Sequence, residues 1–313
     1  MSPRSSPIPL RVVPGGGLSV SLLGLVVDPV GPAGAVADRA LVERLRRARE
    51  GGVTLFDTAG SRDSDRAQAL VATAFSERDP AVVVIVRDAA GPEPLRPGSS
   101  SLPRPSTPPA AVGQFRTIRE VAPSPTAGPA GPGASPNNPS TAAGSSVAVR
   151  LMPGASSLPP HPGGGLYSGP FSLLDRRLRP LFEPGARGAP IGLLARDPFA
   201  GGRLDGSRFA QSGLELGPSM SPPSLRALER EFEPVLQLGF LTAEHKRTLA
   251  QAAVQYVAGH PWVVSVLVPL PPADRLEELL EAFTRPPLTA EEVSRVEAEA
   301  ADSPPLAPGP SLK

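Results

Sequence analysis

The sequence contains no cysteine, only three histidines and few aromatic residues, which make up 4% of its 313 residues. The absence of cysteine excludes disulfides, thiolate zinc sites, iron–sulfur clusters and cysteine nucleophiles. His161, His245 and His260 are too few to indicate a multi-histidine site, and we expect no bound metal. Lysine and arginine (31) balance aspartate and glutamate (30), so charge gives no case for a nucleic-acid partner or an anionic membrane.

Membrane-spanning and targeting segments are also lacking. The apolar run Leu18–Val27 is too short to cross a bilayer and is interpreted as a buried strand. No small-residue cleavage pattern follows it, which argues against a secretory signal. We therefore expect a cytoplasmic protein with no membrane partner.

Proline (43) and glycine (32), by contrast, make up about a quarter of the chain and are concentrated in its middle. Residues 89–145 are predicted to be a disordered, low-complexity insert, interrupted by one short helix or strand at Val112–Val121. Residues 1–17 and 302–313 are also predicted to be disordered. The Pro-rich segment 102–109 is interpreted as a plain linker, with a polyproline II ligand for a protein partner as the alternative.

Helix and strand patterns alternate on both sides of this insert, over residues 18–88 and 146–301. Helical spacing of apolar residues predicts helices at 35–50, 63–76, 225–238, 242–257, 274–283 and 289–300. Apolar, β-branched runs predict strands at 18–27, 53–56, 81–86, 147–152 and 262–268. This alternation indicates an α/β fold with a parallel sheet.

Five blocks, in order along the chain, resemble segments of the aldo-keto reductase family. The first, GVTLFDTA, follows an amphipathic helix, and the third contains a loop similar to the family's Pro-Leu-Ala-Gly-Gly-x-Leu-x-Gly. The blocks are Gly52–Ala59, Pro170–Arg177, Ile191–Gly206, Thr248–Val263 and Pro287–Glu292. The resemblance implies a (β/α)8 TIM barrel with its site at the carboxyl ends of the strands. Only about a dozen residues separate Met152 from Tyr167, where the family has two strands and two helices, so we expect the barrel to be incomplete.

The family reaction is hydride transfer from NADPH to an aldehyde or ketone, and it uses an Asp, a Tyr, a Lys and a His. On this sequence the Asp position is Asp57, but Arg62 takes the place of Tyr and Arg87 that of Lys. For the His, the nearest candidate strand is 147–153, which has Leu151 or Met152 there. Three of the four positions therefore carry a different residue from the family's. Arginine stays protonated and cannot donate a proton at neutral pH, so Arg62 and Arg87 cannot supply the missing acid. An Asp57–Arg87 pair is expected, and His161 is an alternative acid.

The resemblance also implies a weakened NADP site. Phe171 stands where a family aromatic stacks on the nicotinamide, and Ser168 stands near the place of a glutamine that binds the carboxamide. Arg275 is the nearest basic residue to the position that contacts the adenosine phosphate. The phosphates themselves would meet the loop after the seventh strand, at Pro198, Phe199, Ala200, Gly201, Gly202 and Arg203.

Three functions remain open on these patterns. The first is an aldo-keto-reductase-like pseudoenzyme or nicotinamide-nucleotide binder, whose candidate site residues are Asp57, Arg87 and Arg62. The second is an active but non-standard NADPH-dependent carbonyl reductase acting on a small-molecule substrate. The third is an interaction protein that uses its Pro-rich segment.

Overall fold

The computed structural model describes residues 8–15, 17–31, 34–75, 79–87, 115–121, 147–151, 165–183, 190–208 and 222–301. The strands within these ranges are β1 (Leu10–Val12), β2 (Ser19–Ser21), β3 (Leu23–Val26), β4 (Leu55–Asp57), β5 (Val83–Arg87), β6 (Arg116–Val121), β7 (Val147–Leu151), β8 (Gly165–Pro170), β9 (Ile191–Arg196) and β10 (Val263–Pro269). The helices are α1 (Ala35–Glu50), α2 (Ser64–Ala74), α3 (Arg179–Phe182), α4 (Pro222–Leu236), α5 (Leu249–Ala258), α6 (Ala273–Glu281) and α7 (Ala290–Ala301), with a 3₁₀ segment at Gln237–His245.

Strands β3 to β10 form a closed, all-parallel barrel in chain order, because β10 pairs with both β9 and β3. The predicted TIM-barrel class is confirmed. The ring of eight strands is complete, since β6 supplies the fourth strand and β7 the fifth. Within the described residues, the barrel is incomplete only in its outer layer, where no helix lies between β5 and β8.

Side chains alternate across the barrel wall, as they must in any strand. The interior cluster includes aliphatic residues from five strands: Leu55, Ile85, Ile118, Leu166 and Leu194. Their neighbours along the strands, such as Phe56, Val84 and Leu193, point outward and pack beneath the helices. The aromatic-poor composition therefore gives an aliphatic barrel core.

The amino-terminal end of the barrel is closed by a hairpin. Strands β1 and β2 pair antiparallel, and their apolar side chains join the interior cluster through Val13, Leu18 and Val20. Arg11 anchors the hairpin by donating to the carbonyls of Ala258 (2.7 Å), His260 (2.5 Å) and Val263. We call this end the floor.

One of the predicted segment boundaries needs correction, because strand β1 lies in the N-terminal segment predicted to be disordered. This strand is held by antiparallel pairing with β2, which local composition does not predict. Strand β6 lies where the sequence predicts a short helix or strand at Val112–Val121 within the insert, and it pairs with β5 and β7. The segment 102–109 and His161 lie outside the described residues.

The helix boundaries follow capping chemistry. The predicted helix at 242–257 is wrong at its start, because residues 237–245 form a 3₁₀ segment and α5 begins after Thr248. The Thr248 hydroxyl and the Gln251 side chain cap each other's backbone N–H groups. Thr289 and Glu292 do the same at the start of α7. Within the described residues, no helix is both long and apolar enough to cross a membrane.

Candidate functional site

The carboxyl end of the barrel interior is polar. Five strands each place a polar residue two positions beyond an interior aliphatic one, so these residues face the same side of the wall. They are Asp57, Arg87, Glu120, Ser168 and Arg196, at the ends of β4, β5, β6, β8 and β9. We call this set the mouth, and it is the end at which enzymes of this fold carry their active sites.

Arg196 connects the mouth residues. Its Nη1 atom lies 2.7 Å from Oδ2 of Asp57, and its Nη2 lies 2.8 Å from Oε1 of Glu120. Its Nε donates a 2.7 Å hydrogen bond to the hydroxyl of Ser168. One guanidinium thus links three strands, and its fixed fork of donors suits this arrangement better than a lysine would.

Asp57 is fully buried, and its carboxylate is held on two sides. Oδ1 accepts hydrogen bonds from the backbone N–H groups of Ala59 (2.9 Å) and Gly60 (3.2 Å), while Oδ2 faces Arg196. A Cβ atom at position 60 would lie 2.9 Å from Nη1 of Arg196, so any larger residue there would displace the guanidinium from its present position. The turn after β4 is therefore shaped around the Asp57–Arg196 contact.

Glu120 is the residue at the end of the fourth barrel strand. This corrects the sequence-based choice of Leu151 or Met152, since residues 147–151 form the fifth strand. Burial raises the pKa of the Glu120 carboxyl above its ordinary value, while the positive charge of Arg196 acts in the opposite direction. A buried carboxyl group therefore stands where the family resemblance implies a histidine.

The two arginines predicted from the tetrad positions are placed differently from each other. Arg87 lies at the mouth and donates a hydrogen bond to the carbonyl of Ala59. Arg62 is 75% exposed and forms an ion pair with Asp28 at 3.2 Å. Among the described contacts, Asp57 pairs with Arg196 rather than with Arg87 as expected.

Tyrosine and histidine side chains in the described residues lie away from the mouth. Tyr256 and His260 pack with Phe171 and Trp262 outside the barrel wall, with ring centroids 4.9–6.1 Å apart. Burial raises the pKa of the Tyr256 hydroxyl and lowers that of the His260 imidazole. Tyr167 faces the same outer layer and contacts Phe182 edge to face.

The predicted phosphate loop follows β9 directly. Pro198, Phe199 and Ala200 are buried, and the backbone has positive φ at Asp197, Ala200, Gly201 and Gly202. Inside the loop, Oδ1 of Asp197 accepts a 2.7 Å hydrogen bond from the N–H of Gly201. The Nε of Arg203 donates to the carbonyl of Ala200 at 2.7 Å.

A cavity of about 370 Å³ adjoins this loop and the start of α6. Phe199 and Leu279 form part of its apolar lining, and Asp205, Arg275 and Glu278 are charged residues in its wall. Arg275 is already engaged, because it forms a 2.6 Å ion pair with Glu278 and donates to the carbonyl of Asp205 at 2.7 Å. The cavity wall thus carries more negative than positive charge.

These contacts do not fit an NADP molecule held as the resemblance implies. Phe171 has no exposed surface and belongs to the aromatic core, so its ring cannot stack on a nicotinamide. Ser168 is bound to Arg196, and the Gly201 amide and Arg275 both have carboxylate partners within the chain. Among the described residues, no group of three or more histidines and carboxylates is placed to hold a metal ion.

Comparison with known proteins agrees with the barrel and with four of the five sequence blocks. The Aldo/keto reductase family model matches residues 167–300. The chain is aldo-keto-reductase-like. No curated protein matches it in sequence.

Solved structures extend this likeness to the whole fold. The glycerol dehydrogenase from Gluconobacter oxydans is 15% identical over 100% of both chains, with a TM-score of 0.60. The holo form of an aldo-keto reductase from Bacillus halodurans is 16% identical over 94% of this chain and 96% of its own, with a TM-score of 0.58. At these identities the likeness is one of fold.

Sequence reasoning missed Glu120, Arg196 and the role of Gly60. Arg196 lies inside the third of the five blocks, and Glu120 lies in the short segment Val112–Val121 within the predicted insert. The signal that finds both is the period of two, since each lies two residues after an interior aliphatic residue, Ile118 or Leu194. No sequence pattern predicts the role of Gly60, because a small residue is favoured there only by the nearby guanidinium of Arg196.

Proposed function

We propose that this chain is an aldo-keto-reductase-like pseudoenzyme, which keeps the barrel and has lost carbonyl reduction. The observation that supports this is the position of Arg196, which is ion-paired with Asp57 and Glu120 across the mouth. Four of the five mouth residues, Asp57, Glu120, Ser168 and Arg196, contact one another, and in this proposal their role is structural.

The chemistry of the mouth supports the same proposal. Reducing a carbonyl requires a proton donor at the carbonyl oxygen, and such general acid catalysis typically contributes ~10²–10⁴-fold. Arg87 and Arg196 stay protonated at neutral pH and are not proton donors there. Tyr167, Tyr256 and His260 lie in the outer layer, on the other side of the barrel wall.

The experiment is a reductase assay on the full chain. We expect NADPH oxidation with a panel of aldehydes and ketones to stay at the protein-free rate, for the wild type and for Asp57→Asn alike. Wild-type turnover that Asp57→Asn abolishes would contradict the proposal. Circular dichroism of both proteins confirms that an absent rate is not caused by unfolding.

A second candidate, an active but non-standard carbonyl reductase, is favoured by one observation. Burial raises the pKa of Glu120, so its protonated form persists to higher pH than that of an ordinary glutamate, beside the cations Arg87 and Arg196. In this hypothesis Glu120 is the proton donor. It predicts wild-type turnover that is lost in Glu120→Gln and kept in Glu291→Gln, a matched change at an exposed position on α7.

We propose only weak NADP binding, because the residues that the resemblance implies for the cofactor already contact other residues of the chain.

The cytoplasmic location and a protein partner at 102–109 stay predictions. A deletion that tests the partner must stop before residue 115, because β6 at Arg116–Val121 is a barrel strand. Loss of partner capture in a deletion of 102–109, with cooperative unfolding retained, would favour the interaction protein.

A further inference from the structure

The loop from Asp197 to Leu204 begins where β9 ends, beside the mouth. Its backbone takes positive φ at Asp197 (52°), Ala200 (51°), Gly201 (69°) and Gly202 (84°). Successive turns of this kind gather backbone N–H groups into a concave site that suits an anion. In this chain the loop already contains an anion of its own.

That anion is the carboxylate of Asp197. Its Oδ1 accepts the N–H of Gly201 at 2.7 Å, the short distance typical of a charge-assisted bond. The N–H of Ala200 is also used inside the loop, donating to the Asp197 carbonyl at 3.1 Å. The N–H groups of Ala200 and Gly201 are therefore both hydrogen-bonded to Asp197.

The cations around the loop are engaged in the same way. Arg203 donates to the carbonyl of Ala200, while Arg275 pairs with Glu278 and with the Asp205 carbonyl. A phosphate approaching the Gly201 amide would find that N–H already bonded to the Asp197 carboxylate. The guanidinium groups of Arg203 and Arg275 already donate to other groups of the chain. Two negative charges on the same donor repel each other, so the carboxylate weakens phosphate binding there.

We infer that Asp197 is a built-in anionic ligand of the 197–204 loop, which fills the Gly201 amide site and excludes phosphate groups. This inference concerns the loop alone and does not depend on the ion pairs of the mouth. The resemblance implies that this loop binds the phosphates of a dinucleotide, and the contacts of Asp197 disagree with that role.

The backbone at position 197 makes the inference testable by clean substitutions. Asp197 is in the left-handed region, where aspartate, asparagine and glycine are the most readily accommodated residues. Asp197→Asn keeps the shape and removes the charge, and Asp197→Gly also removes the side-chain acceptor. Asp205→Asn is the matched control, because Asp205 is an aspartate of the same region whose side chain accepts from Ser207 instead.

The experiment is a titration of the full chain with inorganic pyrophosphate, followed by calorimetry, and with NADPH, followed by its fluorescence. We expect Asp197→Asn and Asp197→Gly to bind both probes at least about tenfold more tightly than the wild type. Asp205→Asn should gain no more than about threefold in affinity, because its charge lies in the wall of the neighbouring cavity and not on the Gly201 amide.

Two kinds of result would overturn the inference. One is equal affinity of the wild type and both Asp197 variants, whether tight or undetectable. The other is an equal gain in Asp205→Asn, which would make the effect one of overall charge. If Asp197→Gly loses its fold by circular dichroism, Asp197→Asn decides alone. Because binding is measured without turnover, failure here is separate from failure of the pseudoenzyme proposal, which appears as aldehyde reduction.

Discussion

The two ends of this barrel are both closed, one by apolar packing and the other by ion pairs. The floor is closed by apolar side chains of the β1–β2 hairpin, among them Leu18 and Val20, and by backbone contacts of Arg11. The mouth is closed by an arginine between two buried carboxyl groups. Apolar burial at the floor is insensitive to pH, whereas the ion pairs of the mouth depend on the charges of Asp57, Glu120 and Arg196.

The same strands build both ends. Moving along β9, for example, the interior residue changes from the aliphatic Leu194 to the charged Arg196 within two positions. Buried charges are tolerated only when they are paired and hydrogen-bonded. The comparison therefore teaches that buried polar groups can close the mouth because Arg196 pairs with the carboxyl groups around it.

The largest expected effect is at the mouth. Arg196→Met should lower the free energy of unfolding by about 3–5 kcal/mol, because it leaves two buried carboxyl groups without their cation. The measurement is urea-induced unfolding followed by circular dichroism. The matched control is Arg62→Met, whose exposed pair with Asp28 should be worth about 0.2–1 kcal/mol. Equal losses in the two variants would mean that the mouth ion pairs contribute no more than a surface pair.

A comparable change at the floor should be large but independent of pH. Leu18→Ala removes a side chain that is 2% exposed and should cost about 2–5 kcal/mol, from lost apolar burial and the cavity left behind. Leu10→Ala, at a 59% exposed position of the same hairpin, should stay within about 0.5 kcal/mol of the wild type. The same urea experiment at pH 5 and pH 8 checks both values, and a pH-dependent loss in Leu18→Ala would break the comparison.

The smallest effect is the pH dependence of the mouth. Burial raises the pKa of Glu120 in the folded state, so the folded protein holds this proton more tightly than the unfolded chain. Its contribution to stability is therefore present below the ordinary value of about 4.3 and is lost as pH rises through the raised value.

The measurement is the free energy of unfolding from pH 4 to pH 8 for the wild type and Glu120→Gln. We expect the wild type to lose stability relative to Glu120→Gln as pH rises across this window. The matched change Glu291→Gln, at an exposed position, should leave the wild-type profile unchanged. A profile that Glu120→Gln does not alter would show that Glu120 titrates alike in both states.

Much of the barrel is readable from the sequence because its local patterns are strong. Helix α1 has the predicted bounds 35–50, and Asp57 ends its strand at the mouth as the resemblance implies. The start of α5 was not readable, since Thr242 and Thr248 are both good caps and only the Gln251 partner of Thr248 distinguishes them.

Which side chains of the mouth contact each other could not be predicted from the sequence, for a different reason. Arg87 and Arg196 both lie two residues after an interior aliphatic residue, so periodicity alone places both at the mouth. Which of them reaches Asp57 depends on distances across a closed ring, and on the room that Gly60 leaves for a guanidinium. Likewise, Phe171 has the right position in the sequence for a stacking ring, but its side chain points to the outer aromatic layer.

The most direct test of the account is the coupling free energy between Asp57 and Arg196 in a double-mutant cycle. It compares the unfolding of the wild type, Asp57→Asn, Arg196→Met and the double variant in urea at pH 7. If the pair closes the mouth as a unit, the losses are non-additive, with a coupling of about 1–3 kcal/mol. Additivity within about 0.5 kcal/mol would contradict the central claim that Arg196 and Asp57 hold each other in the mouth.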